Sequence, residues 1–80
     1  MEKLVTIPQA QVVMAFVATC IEATARLLNT SYKEVFHRMK QVGLIEKYIV
    51  PHYEVLHTES RENVAAGIVA CLKEWEGNND

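Results

Sequence analysis

The sequence has few residues of the kinds that build chemical sites or interrupt helices. Its 80 residues include only two cysteines, two prolines and three glycines. Cys20 and Cys71 are too few and too far apart for a disulfide framework. The chain also has no glycine-rich phosphate loop, no closely spaced cysteine pair and no paired-carboxylate motif. These absences argue against a disulfide-rich domain and against the commonest nucleotide and metal sites.

Long apolar runs and an excess of basic charge are missing as well. The longest apolar stretch, residues 12–21, is about half of the ~20 residues that a membrane span requires. The N-terminal residues MEKLVTIPQ do not have the pattern of a signal peptide. The net charge is -2 and the pI is about 5.9, whereas nucleic-acid binding needs a basic surface. We therefore expect a soluble cytoplasmic protein with no membrane segment.

The chain length predicts a single domain over residues 1–80. We expect an ordered core over about residues 7–76 and a flexible tail at residues 77–80. A domain of this size buries only ~60% of the surface of its unfolded chain. Hydrophobic residues nevertheless make up 50% of the sequence. Some of them must stay exposed or contact another chain.

The first predicted helix starts at a capping box and runs to about Leu28. Thr6 and Gln9 have the spacing of the box, and Pro8 falls in the first turn, where its missing N–H costs nothing. Apolar residues fill nearly the whole circumference in the middle of this helix, so we expect burial on more than one side. Glu22 and Arg26, four residues apart, mark its solvent-facing end.

A second helix is predicted from Ser31 to Gly43. Ser31 and Glu34 form another capping box, and Gly43 is placed to end the helix. We expect Leu44 to fold back onto the last turn and Glu34 to pair with Arg38. The predicted buried stripe consists of Val35, Phe36, Met39 and Val42.

The remaining segments predict one or two short helices and a third long one. Residues 45–50 form a short apolar segment that Pro51 interrupts, and another short helix follows Pro51. The last helix begins near Ser60, and Gly67 suits close approach by another helix. Its predicted inward residues are Val64, Ile68, Val69, Leu72 and Trp75. The fold class is all-α: a small bundle of three main helices with one or two short helices in the middle.

Several short strings resemble a family of uncharacterised bacterial proteins, domain of unknown function 3791. The most specific string is residues 53–58, Tyr-Glu-Val-Leu-His-Thr, and the likeness covers roughly residues 16–72. Further matches are Phe16 with residues 20–22, then residues 33–36, and then residues 43–45 with 48–49. Family members often carry an acid before the isoleucine of the last helix, where this chain has Gly67. The resemblance implies a compact helical domain and a partner encoded by a neighbouring gene, but no activity.

The string HYEVLHTE at residues 52–59 is the obvious candidate for a chemical site. His52 and His57 are five residues apart and would point roughly 140° away from each other on a helix, which excludes a two-histidine metal site there. We therefore predict no metal and no cofactor. Tyr53, His57 and Thr58 are interpreted as a buried corner between two helices, with a ligand or partner contact, or an enzyme role centred on Tyr53 and His57, as alternatives.

Catalysis by a cysteine nucleophile would require a histidine beside the thiol. Both cysteines fall on apolar helix faces, where cysteine usually behaves as a small hydrophobic residue. The sequence leaves open whether His57 lies near Cys20. We predict no catalytic residue and favour a function other than catalysis, with the enzyme role at Tyr53 and His57 left open as an alternative.

Charge is distributed unevenly along the chain. Residues 31–50 carry four basic and two acidic groups, whereas residues 51–80 carry two basic and six acidic groups. A helix-turn-helix-like nucleic-acid binder that uses Lys33, His37 and Lys40 is therefore an alternative, although a surplus of two charges is small. The same asymmetry favours contacts between the basic middle and an acidic surface of a partner.

Protein–protein interaction is the function class that these features favour most. We expect a homodimer, or a complex with another protein, because association compensates for a small core. The predicted interface residues are Val12, Val13, Phe16, Val17, Ile68 and Leu72.

Overall fold

Four α-helices and one π-helix make up the protein over residues 9–77, which are the residues that the computed structural model describes. The elements are α1 (Gln9–Leu28), α2 (Tyr32–Val42), the π-helix (Ile45–Ile49), α3 (Tyr53–Leu56) and α4 (Arg61–Gly77). No strand occurs within residues 9–77. The predicted all-α bundle of three long helices and short central helices is confirmed.

Helix α1 ends at a left-handed residue that the sequence interpretation did not identify. Asn29 has φ 57°, and its N–H donates to the carbonyl of Arg26. The N–H of Thr30 donates to the carbonyl of Ala25, so the last carbonyls of α1 are satisfied. At the other end, the predicted cap at Thr6 and Pro8 lies outside the described residues.

Both predicted ends of α2 are confirmed. The Ser31 hydroxyl accepts a hydrogen bond from the backbone N–H of Glu34 at 3.0 Å. Gly43 takes the left-handed conformation with φ 71°, and its N–H caps the carbonyls of Lys40 and Met39. Leu44 is then directed into the core, as predicted.

The short central segment is a π-helix. The N–H of Val50 donates to the carbonyl of Ile45, five residues earlier, at 2.9 Å. Ile49 is buried, while Glu46 and Lys47 face solvent. This segment and the one-turn α3 connect the end of α2 to the start of α4.

The three long helices pack against one another, most extensively α1 against α4. Their shared core places Val35 and Met39 of α2 beside the inward faces of α1 and α4. The prediction for α4 is largely correct, although Val69 and Trp75 are only half-buried. The main core residues are Val17, Cys20, Ile21, Val35, Met39, Leu44, Ile49, Leu56, Val64, Ile68 and Leu72.

Helix α4 contains Gly67 and ends at Gly77. Gly77, predicted as the start of a flexible tail, is the last residue of the helix, and residues 78–80 lie outside the described part of the chain. Gly67 is exposed, and a Cβ atom there would meet only the Tyr48 hydroxyl at 3.8 Å. Among residues 9–77, therefore, no helix packs tightly on Gly67, and close approach by a helix of a second chain stays a prediction.

An ion pair connects the second helix to the last one. The Arg38 guanidinium donates two hydrogen bonds to the Glu76 carboxylate, at 2.7 and 2.8 Å. The predicted Glu34–Arg38 pair is therefore wrong. The packing of α2 on α4 brings Arg38 to the Glu76 carboxylate, which accepts two hydrogen bonds from it. Glu22 and Arg26, which were predicted to mark the solvent-facing end of α1, are exposed and form an ion pair at 3.5 Å.

Candidate functional site

The corner at residues 52–59 brings three aromatic rings together. The His57 ring stacks on the Tyr53 ring, with centroids 4.6 Å apart and planes 16° apart. The edge of Phe16 on α1 packs against Tyr53, with centroids 5.3 Å apart and planes at 80°. Tyr53 and His57 therefore share a face, as their spacing predicts.

Most of this corner faces solvent. Leu56 alone among residues 52–59 is buried, Tyr53 is half-buried, and His57 and Thr58 are exposed. The prediction of a buried corner is therefore wrong for His57 and Thr58. A helix of one turn has room for a single core-directed position, and Leu56 occupies it. The prediction of a junction between helices is correct.

Hydroxyl groups close the helices on both sides of the corner. The Thr58 hydroxyl donates to the carbonyl of Val55 at 2.7 Å, at the end of α3. The Ser60 hydroxyl accepts from the N–H of Asn63 at 3.1 Å, at the start of α4. Glu62 lies in the first turn of α4, where a negative charge is favourable. These contacts give the corner a structural role that needs no ligand.

The histidines of this string have separate local partners. His52 Nδ1 lies 2.7 Å from the carbonyl oxygen of Tyr48, and its ring packs on the Tyr48 ring at 5.2 Å. His57 instead stacks on Tyr53. Over residues 9–77, no three His, Cys, Asp or Glu side chains are grouped as metal ligands.

Cys20 and His57 both line one groove. Cys20 is 2% exposed, and burial raises the pKa of its thiol to about 11. Burial, followed by the charge of Glu74, also raises the pKa of the half-buried Cys71. Because the thiolate is the reactive form of cysteine, neither residue has the properties of a nucleophile.

The groove that contains these residues lies between α1 and the start of α4. Its larger part has a volume of about 510 Å³ and combines apolar residues with charged ones. A second depression of about 250 Å³ adjoins it, sharing Ala23, Arg61 and Glu62, and extends to Leu27. We call the two together the α1–α4 groove. It is lined by Phe16, Thr19, Cys20, Ala23, Arg26, Leu27, His57, Glu59, Arg61, Glu62, Val64 and Ala65.

Three of the six predicted interface residues belong to the core. Val17, Ile68 and Leu72 are at most 3% exposed within the single chain, so they have no surface to offer a partner. They point inward because α1 and α4 pack on each other along these positions. The other three, Val12, Val13 and Phe16, are half-buried and remain accessible.

The predicted interface residues do not include Met14, the most exposed apolar residue of this region. Met14 is 59% exposed, and Ala15 and Ala18 beside it also face solvent. The signal was present, because position 14 lies on the same side of a helix as positions 11, 15, 18, 22 and 26, and all six are exposed. The second half of this exposed side carries the Glu22–Arg26 pair, whereas residues 9–18 carry no charge at all. Residues 9–18 are called the α1 N-terminal half below.

Helix α1 is also long and apolar enough to cross a membrane by length and composition, although a core helix passes the same test. The apolar stretch at residues 12–21 is only part of this helix. The helix continues to Leu28 and contains only two charged residues, Glu22 and Arg26.

The outward face of α2 combines aromatic and basic side chains. Phe36, predicted to be core, is 39% exposed, and Tyr32 is 46% exposed. Lys40 Nζ lies 5.6 Å from the centroid of the Phe36 ring. Lys33, His37 and Lys40 line one depression with Phe36, so the three share a face as predicted.

Comparison with known proteins supplies a family but no activity. No curated protein and no solved structure matches the chain. A family profile described as "Protein of unknown function (DUF3791)" matches residues 15–75. This match covers more than half of the chain and spans α1 from Ala15 through α4 as far as Trp75. The chain therefore belongs to the DUF3791 family of proteins of unknown function.

Proposed function

We propose that this protein is a small protein–protein interaction module that self-associates through the α1 N-terminal half. The observation that carries the proposal is the exposure of Met14 on a ten-residue segment without a single charge. Val12, Val13 and Phe16 add half-exposed apolar surface to the same segment. Removal of such surface from water contributes roughly 25 cal/mol per Å².

The size of the chain supports the same proposal. A domain of 80 residues has a small core, and association with a second chain is a common source of additional stability. The proposed assembly is a homodimer, with a complex between this chain and another protein as the second form. The proposal places the protein in the cytoplasm, and it assigns no catalytic role to Tyr53 or His57, whose rings are engaged with each other.

The test is the mass of the purified chain in solution as its concentration is varied. We expect a mass above the 9.1 kDa of one chain in light scattering, and a return to that mass when Met14→Glu places a charge at the contact. Val17→Glu is unsuitable, because Val17 is in the core and the substitution would unfold the chain. A wild-type chain that stays at 9.1 kDa at all micromolar concentrations would refute self-association.

A matched control separates the contact from a general effect of charge. Gln41→Glu makes the same change in net charge at an exposed position on α2, and we expect it to leave the mass unchanged. Flotation with neutral lipid vesicles distinguishes another use of the same surface. Recovery of the wild-type chain with the vesicles, and loss of this recovery in Met14→Glu, would assign the α1 N-terminal half to a membrane.

A further inference from the structure

Two surfaces of the chain match each other in length and charge. The first is the outward face of α2, formed by Tyr32, Lys33, Phe36, His37 and Lys40 and called the α2 face. Phe36 and Tyr32 project apolar rings into solvent there. Lys33 and Lys40 flank the Phe36 ring, and no ion pair engages either lysine among the described residues.

The second surface is the α1–α4 groove. Phe16, Ala23 and Val64 supply apolar lining, and Glu59 and Glu62 supply carboxylates. An apolar recess with carboxylates beside it is the counterpart of an exposed ring with lysines beside it. Neither surface has a partner within the described part of the chain.

The lengths of the two surfaces also agree. The α1 side of the groove runs from Phe16 to Leu27, which is roughly 16 Å at 1.5 Å per residue. Helix α2 has 11 residues and therefore has about the same length. An amphipathic helix that lays its apolar side chains into a groove between two helices is a common mode of recognition.

The charges agree beyond the lysines. Glu34 lines the same depression as Lys33 and Lys40, and Arg61 lines the groove together with its two carboxylates. The α2 face therefore has a net charge of +1 from its two lysines and Glu34. The groove is lined by two carboxylates and by Arg61 and Arg26, but Arg26 is paired with Glu22 at 3.5 Å, which leaves the groove a net charge of -1. Arg38, the remaining cation of α2, is already bound to Glu76.

We propose that α2 of one copy docks in the α1–α4 groove of a second copy of this chain. The Phe36 ring lies on the apolar lining, and Lys33 and Lys40 face Glu59 and Glu62 of the other copy. The contact joins two different surfaces, so each copy supplies a helix and a groove. Phe16 borders both this contact and the one proposed above, but Met14 belongs only to the latter, so Met14→Glu and charge reversals in the groove test the two contacts separately.

Charge reversal on each surface provides the test. Lys33→Glu with Lys40→Glu makes the α2 face acidic, and Glu59→Lys with Glu62→Lys makes the groove basic. Each double variant alone opposes like charges between copies, and we expect its dissociation constant to rise at least about tenfold in analytical ultracentrifugation at low salt. An equimolar mixture of the two double variants pairs opposite charges at both surfaces, and it should associate as the wild type does.

Two further variants guard against effects on folding and on net charge. Phe36→Ala removes the exposed ring without a change of charge, and it should also weaken association. Lys47→Glu with Lys73→Glu changes the net charge as much as the α2 double variant does, but at exposed positions outside both surfaces, and it should associate normally. Circular dichroism of every variant verifies that the helices are retained.

The results separate this contact from its alternatives. Recovery in the mixture supports the docking, whereas a mixture that associates no better than its components overturns it. Unchanged association of the α2 double variant, together with loss of its retention on heparin, overturns the docking and assigns the α2 face to nucleic acid. If Met14→Glu reduces the mass and the charge reversals do not, self-association through the α1 N-terminal half is supported and docking of α2 in the groove is refuted. If the charge reversals reduce the mass and Met14→Glu does not, docking of α2 is supported and association through the α1 N-terminal half is refuted.

Discussion

At the residue scale, Cys20 on α1 and Cys71 on α4 differ in how far they are removed from water. Cys20 is 2% exposed, whereas Cys71 is half-buried. The apolar positions of both residues in the helical pattern predicted burial, and for Cys20 this is correct. The position of His57 in the same groove as Cys20 could not be predicted in this way. It depends on how the chain turns between α3 and α4, which the spacing of residues along α1 does not show.

The raised pKa of Cys20 predicts a slow thiol. In a Cys71→Ser variant, we expect folded protein at pH 8 to react with a thiol reagent at least about tenfold more slowly than the same protein in denaturant. The reason is that a pKa of about 11 leaves little thiolate at that pH, and burial also limits access. Stopped-flow absorbance measures both rates.

A complementary variant controls this experiment. Cys20→Ser leaves the half-buried Cys71, which should react faster than Cys20 in folded protein. Equal rates for Cys20 in folded and denatured protein would contradict the burial of this thiol.

At the element scale, the ends of the helices follow from residues within a few positions of them. Ser31 and Gly43 were predicted as caps of α2, and both act as caps. Such ends are predictable because a hydroxyl or a glycine acts on backbone groups of its own turn. The left-handed Asn29 was missed because asparagine adopts this conformation less regularly than glycine does, although it is the commonest substitute.

Substitution by alanine should have opposite effects on stability at Gly43 and at Gly67. Gly43→Ala should lower the free energy of unfolding by about 1 kcal/mol, because alanine is strained at φ 71°. Gly67→Ala should raise it by up to about 1 kcal/mol, because the position is helical and has room for a methyl group. Urea denaturation of both variants measures the two changes. Destabilisation by Gly67→Ala would indicate that another chain packs against this face.

At the scale of the whole molecule, the Arg38–Glu76 pair holds the end of α4 against α2. The side chains are 28% and 30% exposed, and their two-pronged geometry is the strongest form of such a pair. The hydrogen bond from Arg38 lowers the pKa of Glu76, and the positive charge of Arg38 adds to this effect. Ionised Glu76 is therefore favoured in the folded chain.

This pair predicts a pH-dependent loss of stability. Glu76→Gln should reduce the free energy of unfolding by about 1 kcal/mol at pH 7. Because the pKa of Glu76 is lower in the folded chain, its contribution is present above the unfolded pKa and is lost as the pH falls through the folded value. The difference between wild type and variant should therefore shrink as the pH falls below 4.5, the ordinary value for glutamate.

The neighbouring glutamate provides the control for this prediction. Glu74→Gln removes an equal charge from an exposed position that makes no ion pair within the described residues, and it should change stability little. Thermal denaturation from pH 3 to pH 7 measures all three proteins. A constant difference between wild type and Glu76→Gln across this range would show that Glu76 does not act through its charge.

The sequence by itself determined the helical elements, the caps of α2, the junction at residues 52–59 and the membership of the family. These features depend on periodicity, on capping within one turn and on short strings, all of which are local. Only the tertiary structure decided that Arg38 pairs with Glu76 rather than Glu34, that Phe36 is exposed, and that Val17, Ile68 and Leu72 are core rather than interface. A helix with apolar residues all round has no single inward face, so its neighbours alone select which residues are buried.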